Sequence, residues 1–349
     1  MALTEYRTEV WQKIDGARHG ETQKLSELQF VEGLSFSKRL NDVGECSFTM
    51  KLDDEKCTPE NIAIGQNEIK IFRNNELVWA GLIVNGIPNL QARDLQVSCE
   101  TYETILKNRL VEYYNITTTL NKSYIAQELV QHSQFYKKYW DIGVRIGLIQ
   151  GSGVVNEFEK ENEYILDIIQ ELSETNDGFD FEITDGKAFN VHYPSKGQTK
   201  DTIVFEWGVN ISDPSVEYNA NSLMNWVKVI GKDGAVRYVE DVGFQKKFYG
   251  RQGVLVHRDI SDLDLLKELG LEFMRVQKNL ETIFNFTILP ENEQRLTYNI
   301  SDFETGDVVK LKIQEGNWAR VNNLVRIYGW EVSLDNEGNE QTSLEISQL

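Results

Sequence analysis

Leu34-Ser35-Phe36-Ser37-Lys38-Arg39-Leu40, a break at Asn41-Asp42-Val43-Gly44, then Cys46-Ser47-Phe48-Thr49-Met50-Lys51-Leu52: apolar and polar residues alternate, stop, and alternate again. A period of two puts every second side chain on one face of an extended chain. Each run therefore reads as a half-buried strand and the break as its turn. The pattern continues through Gly65 to Phe72, a turn at Arg73-Asn74-Asn75-Glu76, Leu77 to Val84, and Leu95 to Glu100. That last strand leads into an amphipathic stretch from Thr104 to Leu110. Five or six short strands at this spacing predict a small antiparallel barrel, since closure removes exposed edges.

Beyond Tyr113-Tyr114 the period shifts toward 3.6. Asn121 or Ser123 can cap a helix that places Ile125, Leu129 and Val130 on one face. A second helix is expected with Glu161 and Glu163 in its first turn, an apolar face of Ile165, Ile168, Ile169 and Leu172, and a stop at Asn176-Asp177-Gly178. Phe179 to Ile183 and Ala188 to Tyr193 then flank Asp185-Gly186, a strong hairpin signal.

Strand patterning returns at Ile203. Val216 to Asn219 and Asn225 to Ile230 repeat the layout of Leu34 to Leu52; Gly306 to Ile313 and Leu324 to Trp330 repeat that of Gly65 to Val84. Between them Asp262 to Leu280 reads as the longest helix, with Ser261 and Asp264 as a capping pair and Gly270 costing about 1 kcal/mol relative to Ala. The expected class is α+β, mainly β: two tube-like antiparallel barrels, an α/β domain between them and a helical insertion near 261–281. Domain limits are expected at 1–114, 115–202 and 203–349. Trp79 and Trp226 are expected to be buried in barrel strands.

The chain has 349 residues, 40% hydrophobic and 11% aromatic, enough for two or three folded domains. No apolar run approaches the ~20 residues of a membrane helix, and the charged start, Met1 to Ile14, lacks a signal-peptide core. Cys46, Cys57 and Cys99 are odd in number and lack C-x-x-C spacing, so they read as reduced side chains. The net charge of −19 is spread along the chain and disfavours a nucleic-acid grip, which needs a basic stripe. On the wall of a DNA conduit, the same acidity repels passing phosphates.

Three stretches, Phe36 to Thr49, Ile69 to Gly81 and Glu100 to Leu106, together with the helix-hairpin unit from Tyr164 onward, resemble phage tail hub proteins, the baseplate and tail-tip hubs of contractile and long flexible tails. Tyr249 to Gly253 ahead of the long helix is similar to that family as well. The resemblance implies a structural role: a homotrimer presenting six barrels in a ring that meets a six-fold tail tube. Implied partners are further copies of the chain, a distal tail or tail tube protein, the C-terminus of a tape-measure protein, and tail fibre or receptor-binding proteins. DNA passes through without being bound. The implied location is the virion tail tip, after assembly in the host cytoplasm.

Chemistry is sparse in the sequence. His19, His132, His192 and His257 form no H-E-x-x-H motif, and no glycine-rich loop opens a helix. Neither catalytic residues, a metal site nor a cofactor is expected. Asp177, Asp180, Glu182 and Asp185 alternate along a hairpin and read as its solvated face. Phe135, Tyr136, Tyr139 and Trp140 form an aromatic cluster that serves either as core anchors or as a contact surface for a partner or glycan. The competing readings are a glycan-binding module of the tail tip and a cell-wall hydrolase. The chain stops at Leu349, directly after a strand, where many hubs continue into lytic or receptor-binding modules; this is expected to place those functions on separate chains.

Overall fold

A computed structural model describes residues 4–14, 20–135, 140–155, 158–175, 177–257, 260–277, 281–290, 297–317, 319–335 and 337–348. Seven strands come first: β1 (Tyr6–Lys13), β2 (Thr22–Leu28), β3 (Glu32–Arg39), β4 (Glu45–Lys51), β5 (Glu68–Arg73), β6 (Glu76–Asn89) and β7 (Asp94–Thr101). The expected alternation holds. Leu34, Phe36, Cys46, Phe48, Met50, Val97 and Cys99 are buried, while Ser35, Ser37, Ser47 and Ser98 point the other way. Asn74 and Asn75, with φ of 49° and 69°, make the two-residue β5–β6 turn, where both positions need positive φ.

The middle of the chain holds α1 (Thr104–Lys107), β8 (Leu110–Ile116), β9 (Leu120–Asn121), α2 (Lys122–Phe135), β10 (Arg145–Ile149), β11 (Val154–Val155), β12 (Phe158–Tyr164), α3 (Ile165–Glu174), β13 (Asp180–Ile183) and β14 (Ala188–His192). The hairpin about Asp185-Gly186 is present as β13 and β14. Two expectations change. The helix at Thr104 is a single turn, and Glu161 and Glu163 lie on strand β12, which pairs with β8, so α3 starts only at Ile165. The helical apolar period begins at Ile165; the glutamates before it fit an exposed strand as well as a first turn.

The rest comprises β15 (Thr199–Glu206), β16 (Ile211–Asn219), β17 (Trp226–Ile230), β18 (Val236–Glu240), α4 (Val242–Phe248), β19 (Gln252–Val256), α5 (Leu263–Val276), β20 (Glu281–Ile288), β21 (Val308–Glu315), β22 (Ala319–Leu334) and β23 (Glu340–Gln348). The cap of α5 is Asp262, whose carboxylate accepts from the N–H groups of Asp264 and Leu265; it displaces the expected Ser261. Gly270 has a packing reason. A Cβ there would stand 2.6 Å from Val229 and 2.9 Å from Val239, so α5 lies against β17 and β18 only because the side chain is missing.

The strands of both halves join one 13-stranded sheet in the order β16-β20-β23-β22-β3-β4-β7-β6-β5-β1-β2, with β15 and β21 branching from β22. Among the described residues no ring of pairings closes. The expected mainly-β class holds, and strand pairing among these residues does not by itself close either barrel: alternation encodes which face is buried, and it leaves open whether the last strand returns to the first. Instead the halves are stitched edge to edge by β22 and β3, and a single apolar cluster runs from Val10 through Phe36 and Trp330 to Ile346. β1 and β2 went unanticipated because β1 buries the polar Thr8 and Glu9 beside Val10, which breaks the apolar alternation; Lys24 approaches the Glu9 carboxylate at 2.6 Å.

The internal repeat lies deeper than the sequence indicated. In the first half the order is β3-β4-β7-β6-β5-β1; in the second it is β16-β20-β23-β22-β21-β15. Irregularities fall at matching places. The register of β6 on β7 shifts between Ile83 and Asn85, that of β22 on β23 between Ile327 and Gly329. Likewise β3 on β4 shifts between Glu32 and Ser35, and β16 on β20 between Ser212 and Ser215. Ile83 and Ile327 bond backbone to Asn67 and Asp307 in the same way. One strand differs: β1 joins β5 antiparallel, whereas β15 joins β21 parallel. The counterpart of β4 is thus β20. Asn225 to Ile230, expected in that role, forms β17 in a separate three-stranded sheet with β18 and β19. Trp226 is accordingly half-buried and stacks on Tyr238 with ring centroids 5.2 Å apart, while Trp79 is fully buried.

Candidate functional site: a polar sheet face braced by an ionic junction

Opposite the apolar cluster, the sheet shows a face built from every other residue of its central strands. One row across it reads Ser333, Ser35, Ser47, Ser98 and Asn85, each directly opposite the next. A neighbouring row pairs Ser343 with Glu331 and Glu331 with Ser37. The Ser35 hydroxyl donates to Glu331 at 2.6 Å. The face forms a trough of about 470 Å³ across the β22–β3 junction, bordered by Glu45, Glu100, Glu331 and Glu345 and by a single cation, Arg39. Hydroxyls and carboxylates outnumber the apolar lining of Val84, Trp330 and Leu344 and leave the trough wet and negative.

The two halves are held in place by the β13–β14 hairpin. Asp180, nearly buried, accepts from Asn41 of the first half at 3.1 Å and from the N–H of Lys196 at 2.6 Å, and it pairs with Arg326 of the second half. Asn41 in turn accepts from the N–H of Phe181 at 2.7 Å. Asp185 meets Lys38 at 2.5 Å and accepts from the N–H of Ala80 at 3.0 Å. Lys187 meets Glu68 at 2.5 Å, and Tyr102 donates to the other Glu68 oxygen at 2.8 Å. Glu182 is bridged by Lys196 at 2.6 Å and His192 at 3.2 Å. Although burial opposes its charge, these partners prevail and bring its pKa down to about 2.

The carboxylates expected on a solvated hairpin face are therefore mostly structural. Asp180, Glu182 and Asp185 each hold a cation or backbone donor; only Asp177 stands exposed at the turn after α3. Sequence spacing placed them together, but it could not reveal that Lys38 and Arg326 arrive from distant strands to join the nearby Lys196. Buried beside them is Glu103, whose carboxylate accepts from the N–H of Ile183 at 2.6 Å and whose pKa burial pushes up to about 7.

Of the expected aromatic cluster, Phe135 is exposed at the end of α2. Trp140 lies beneath the Arg109 guanidinium, 4.8 Å from its ring, and its carbonyl accepts from Arg109 at 3.1 Å. Tyr136 and Tyr139 lie outside the described residues. No group of three or more His, Cys, Asp or Glu side chains is placed to hold a metal among the described residues. No helix there is long and apolar enough to cross a membrane. Sequence reasoning did not single out the Ser/Glu face, although its signal was present in the polar positions of the strands it identified.

The family described as Prophage endopeptidase tail matches residues 198–348, the second half of this architecture. A comparison with curated proteins finds no match. Among solved structures, the 43 kDa tail protein of prophage MuSo2 from Shewanella oneidensis is similar with a TM-score of 0.63 at 13% identity, over 97% of this chain and 97% of that one. The tail protein from Neisseria meningitidis MC58 gives 0.61 at 12% identity, over 98% of this chain and 96% of that one. Prophage tail protein gp18 from Listeria monocytogenes EGD-e gives 0.56 at 12% identity, over 98% and 94%. The chain thus carries a phage tail-protein fold along nearly its whole length. The hub resemblance read from its strands agrees with that fold, and its second half carries the prophage-tail family match.

Proposed function

We propose that this protein is a structural component of a phage tail, a hub at the distal end that assembles as a trimeric ring around the DNA passage. The observation that carries this reading is the Ser/Glu face, continuous across two halves of matching strand order within one sheet. Two matched halves per chain give six matched units in a trimer, which suits the six-fold symmetry of a tail tube. A face of hydroxyls and carboxylates suits the wall of a DNA conduit: it is wetted, and it repels phosphate over a Debye length of about 8 Å.

The chain works as three units, 1–114, 115–202 and 203–349, the middle one bracing the other two through Asp180 and Asp185. Its partners are further copies of itself, a distal tail or tail tube protein, the tape-measure C-terminus and tail fibre proteins, and it resides in the virion after assembly in the host cytoplasm. It is not an enzyme; the word endopeptidase in the family description names the family, and the hairpin carboxylates are engaged by cations. Mass measurement of the purified protein in solution tests the assembly: three copies are expected, and a stable monomer at high concentration would defeat it. An image reconstruction of the ring should show the Ser/Glu face toward the axis.

A further inference from the structure

We infer that copies of this chain join by strand pairing between the β6 edge of one and the β16 edge of the next, in a register already present inside each chain. The inference deepens the ring proposed above and rests on it.

Within the chain, β22 is a long strand with a different neighbour along each part. Its first part pairs with β21, its second with β23, and beyond the register shift its other edge is free to receive β3. There Gly329 faces Arg39, Trp330 faces Lys38, Glu331 faces Ser37, Val332 faces Phe36 and Ser333 faces Ser35. β6 is the counterpart of β22. It pairs with β5, then with β7, and shifts register at the same point. Its segment matching Gly329–Ser333 is Asn85–Asn89, and no strand occupies that edge among the described residues. The counterpart of β3 is β16, matched through the shared shifts so that Phe36 corresponds to Val216. Among the described residues β16 ends the sheet, with β20 on one edge and no strand on the other.

Each chain therefore contains one filled junction, β22 with β3, and the two separated halves of an equivalent one. Carrying the register across places Asn85 opposite Asn219, Gly86 opposite Tyr218, Ile87 opposite Glu217, Pro88 opposite Val216 and Asn89 opposite Ser215 of the next copy. The side chains suit it. Ile64 already covers Gly86, with its Cδ1 3.0 Å from where a Cβ would stand, so the Tyr218 ring would pack beside Ile64. Tyr218 is 43% exposed in the single chain and would gain cover from the added strand, while Ile87, the counterpart of Glu331, stays on the polar face. Leu40 donates its N–H to Tyr328 at the filled junction, so alternation makes Gly86–Tyr218 and Pro88–Val216 the hydrogen-bonded pairs. Pro88 offers a carbonyl but no N–H, which leaves the junction one bond short of its internal copy. The contact is head-to-tail, so it builds a closed ring or an open filament. It also extends the polar row Ser333, Ser35, Ser47, Ser98 and Asn85 without interruption into the neighbour.

Paired cysteines at Asn85 and Asn219, a non-bonded pair with closely spaced side chains, test the register in a Cys57→Ser background. Cys46 and Cys99 are buried. An intrachain bridge would leave the protein at monomer size, so any dimer or trimer band reports bridges between copies. After mild oxidation, N85C/N219C should run on a non-reducing denaturing gel as dimer and trimer. Neither single variant should, nor should the off-register pair N89C/N219C. A trimer in solution that fails to cross-link at 85/219, or cross-links only through 89/219, would overturn the pairing and leave the ring standing. A monomeric protein would overturn both.

Discussion

Arg326 on β22 pairs with Asp180 on β13, and this contact ties the second half of the sheet to the hairpin that also holds the first half. Both side chains are largely withdrawn from water, at 14% and 8% exposure. The pair is therefore dear to break from one side. In Asp180→Ala, the Arg326 guanidinium, the Asn41 amide and the Lys196 N–H all lose their acceptor. A loss of about 3–5 kcal/mol is expected, seen as a lower urea midpoint. Removal of one charge from the exposed Lys107–Glu100 pair should shift it by less than 1 kcal/mol.

Glu103 sets a pH dependence. Its carboxyl is fully buried and its pKa is raised from 4.5 to about 7. Below pH 4.5 the group is protonated whether the chain is folded or not, and its contribution to stability is fully present. As pH rises toward 7 the unfolded chain ionises first, so the folded state loses up to about 3 kcal/mol. Glu103→Gln keeps an acceptor for the Ile183 N–H and has no charge to bury. Its stability relative to wild type should rise between pH 5 and pH 8; parallel urea midpoints across that range would contradict the assignment.

Two tryptophans should respond differently. Trp79 is fully buried, and its indole donates to the carbonyl of Ser37 at 2.9 Å, so Trp79→Ala should cost about 3–5 kcal/mol. Trp226 is half-buried against Tyr238, and Trp226→Ala should cost about 1 kcal/mol, the scale of a single aromatic pair. Thermal melts of the two variants make the comparison directly.

Helix propensity says that Gly270→Ala should stabilise α5 by about 1 kcal/mol. The packing says the reverse, because the added methyl meets Val229 and Val239 on a buried sheet. Overpacking of this kind costs about 1–3 kcal/mol. A lower melting temperature for Gly270→Ala is therefore expected, and a raised one would show that α5 can move off its sheet.

The charge of the polar face is open to test without a phage particle. Wild-type protein should not retain DNA even at low salt. Glu45, Glu331 and Glu345 changed together to Lys should create retention that weakens steadily as salt rises, the mark of phosphate contacts. Equal retention by both proteins would remove the electrostatic argument.

What the sequence by itself determined is local. Leu34 to Leu52, Gly65 to Val84 and Leu95 to Glu100 alternate with period two, and they are strands with the expected faces buried. Asn74-Asn75 and Asp185-Gly186 turn the chain where expected. Tertiary structure alone decided which strands are partners. β16 passes over the nearby β17 to pair with β20, and β22 reaches past its own half to β3. Glu182, Asp185 and Asp180 became braces because Lys196, Lys38 and Arg326 reach them, two of these cations from strands far away in the chain. The reason is physical. Side-chain alternation records which face meets the core, whereas the hydrogen bonds along a strand edge come from the backbone, which is the same in every strand. The choice among edges is made by packing and register over the whole sheet.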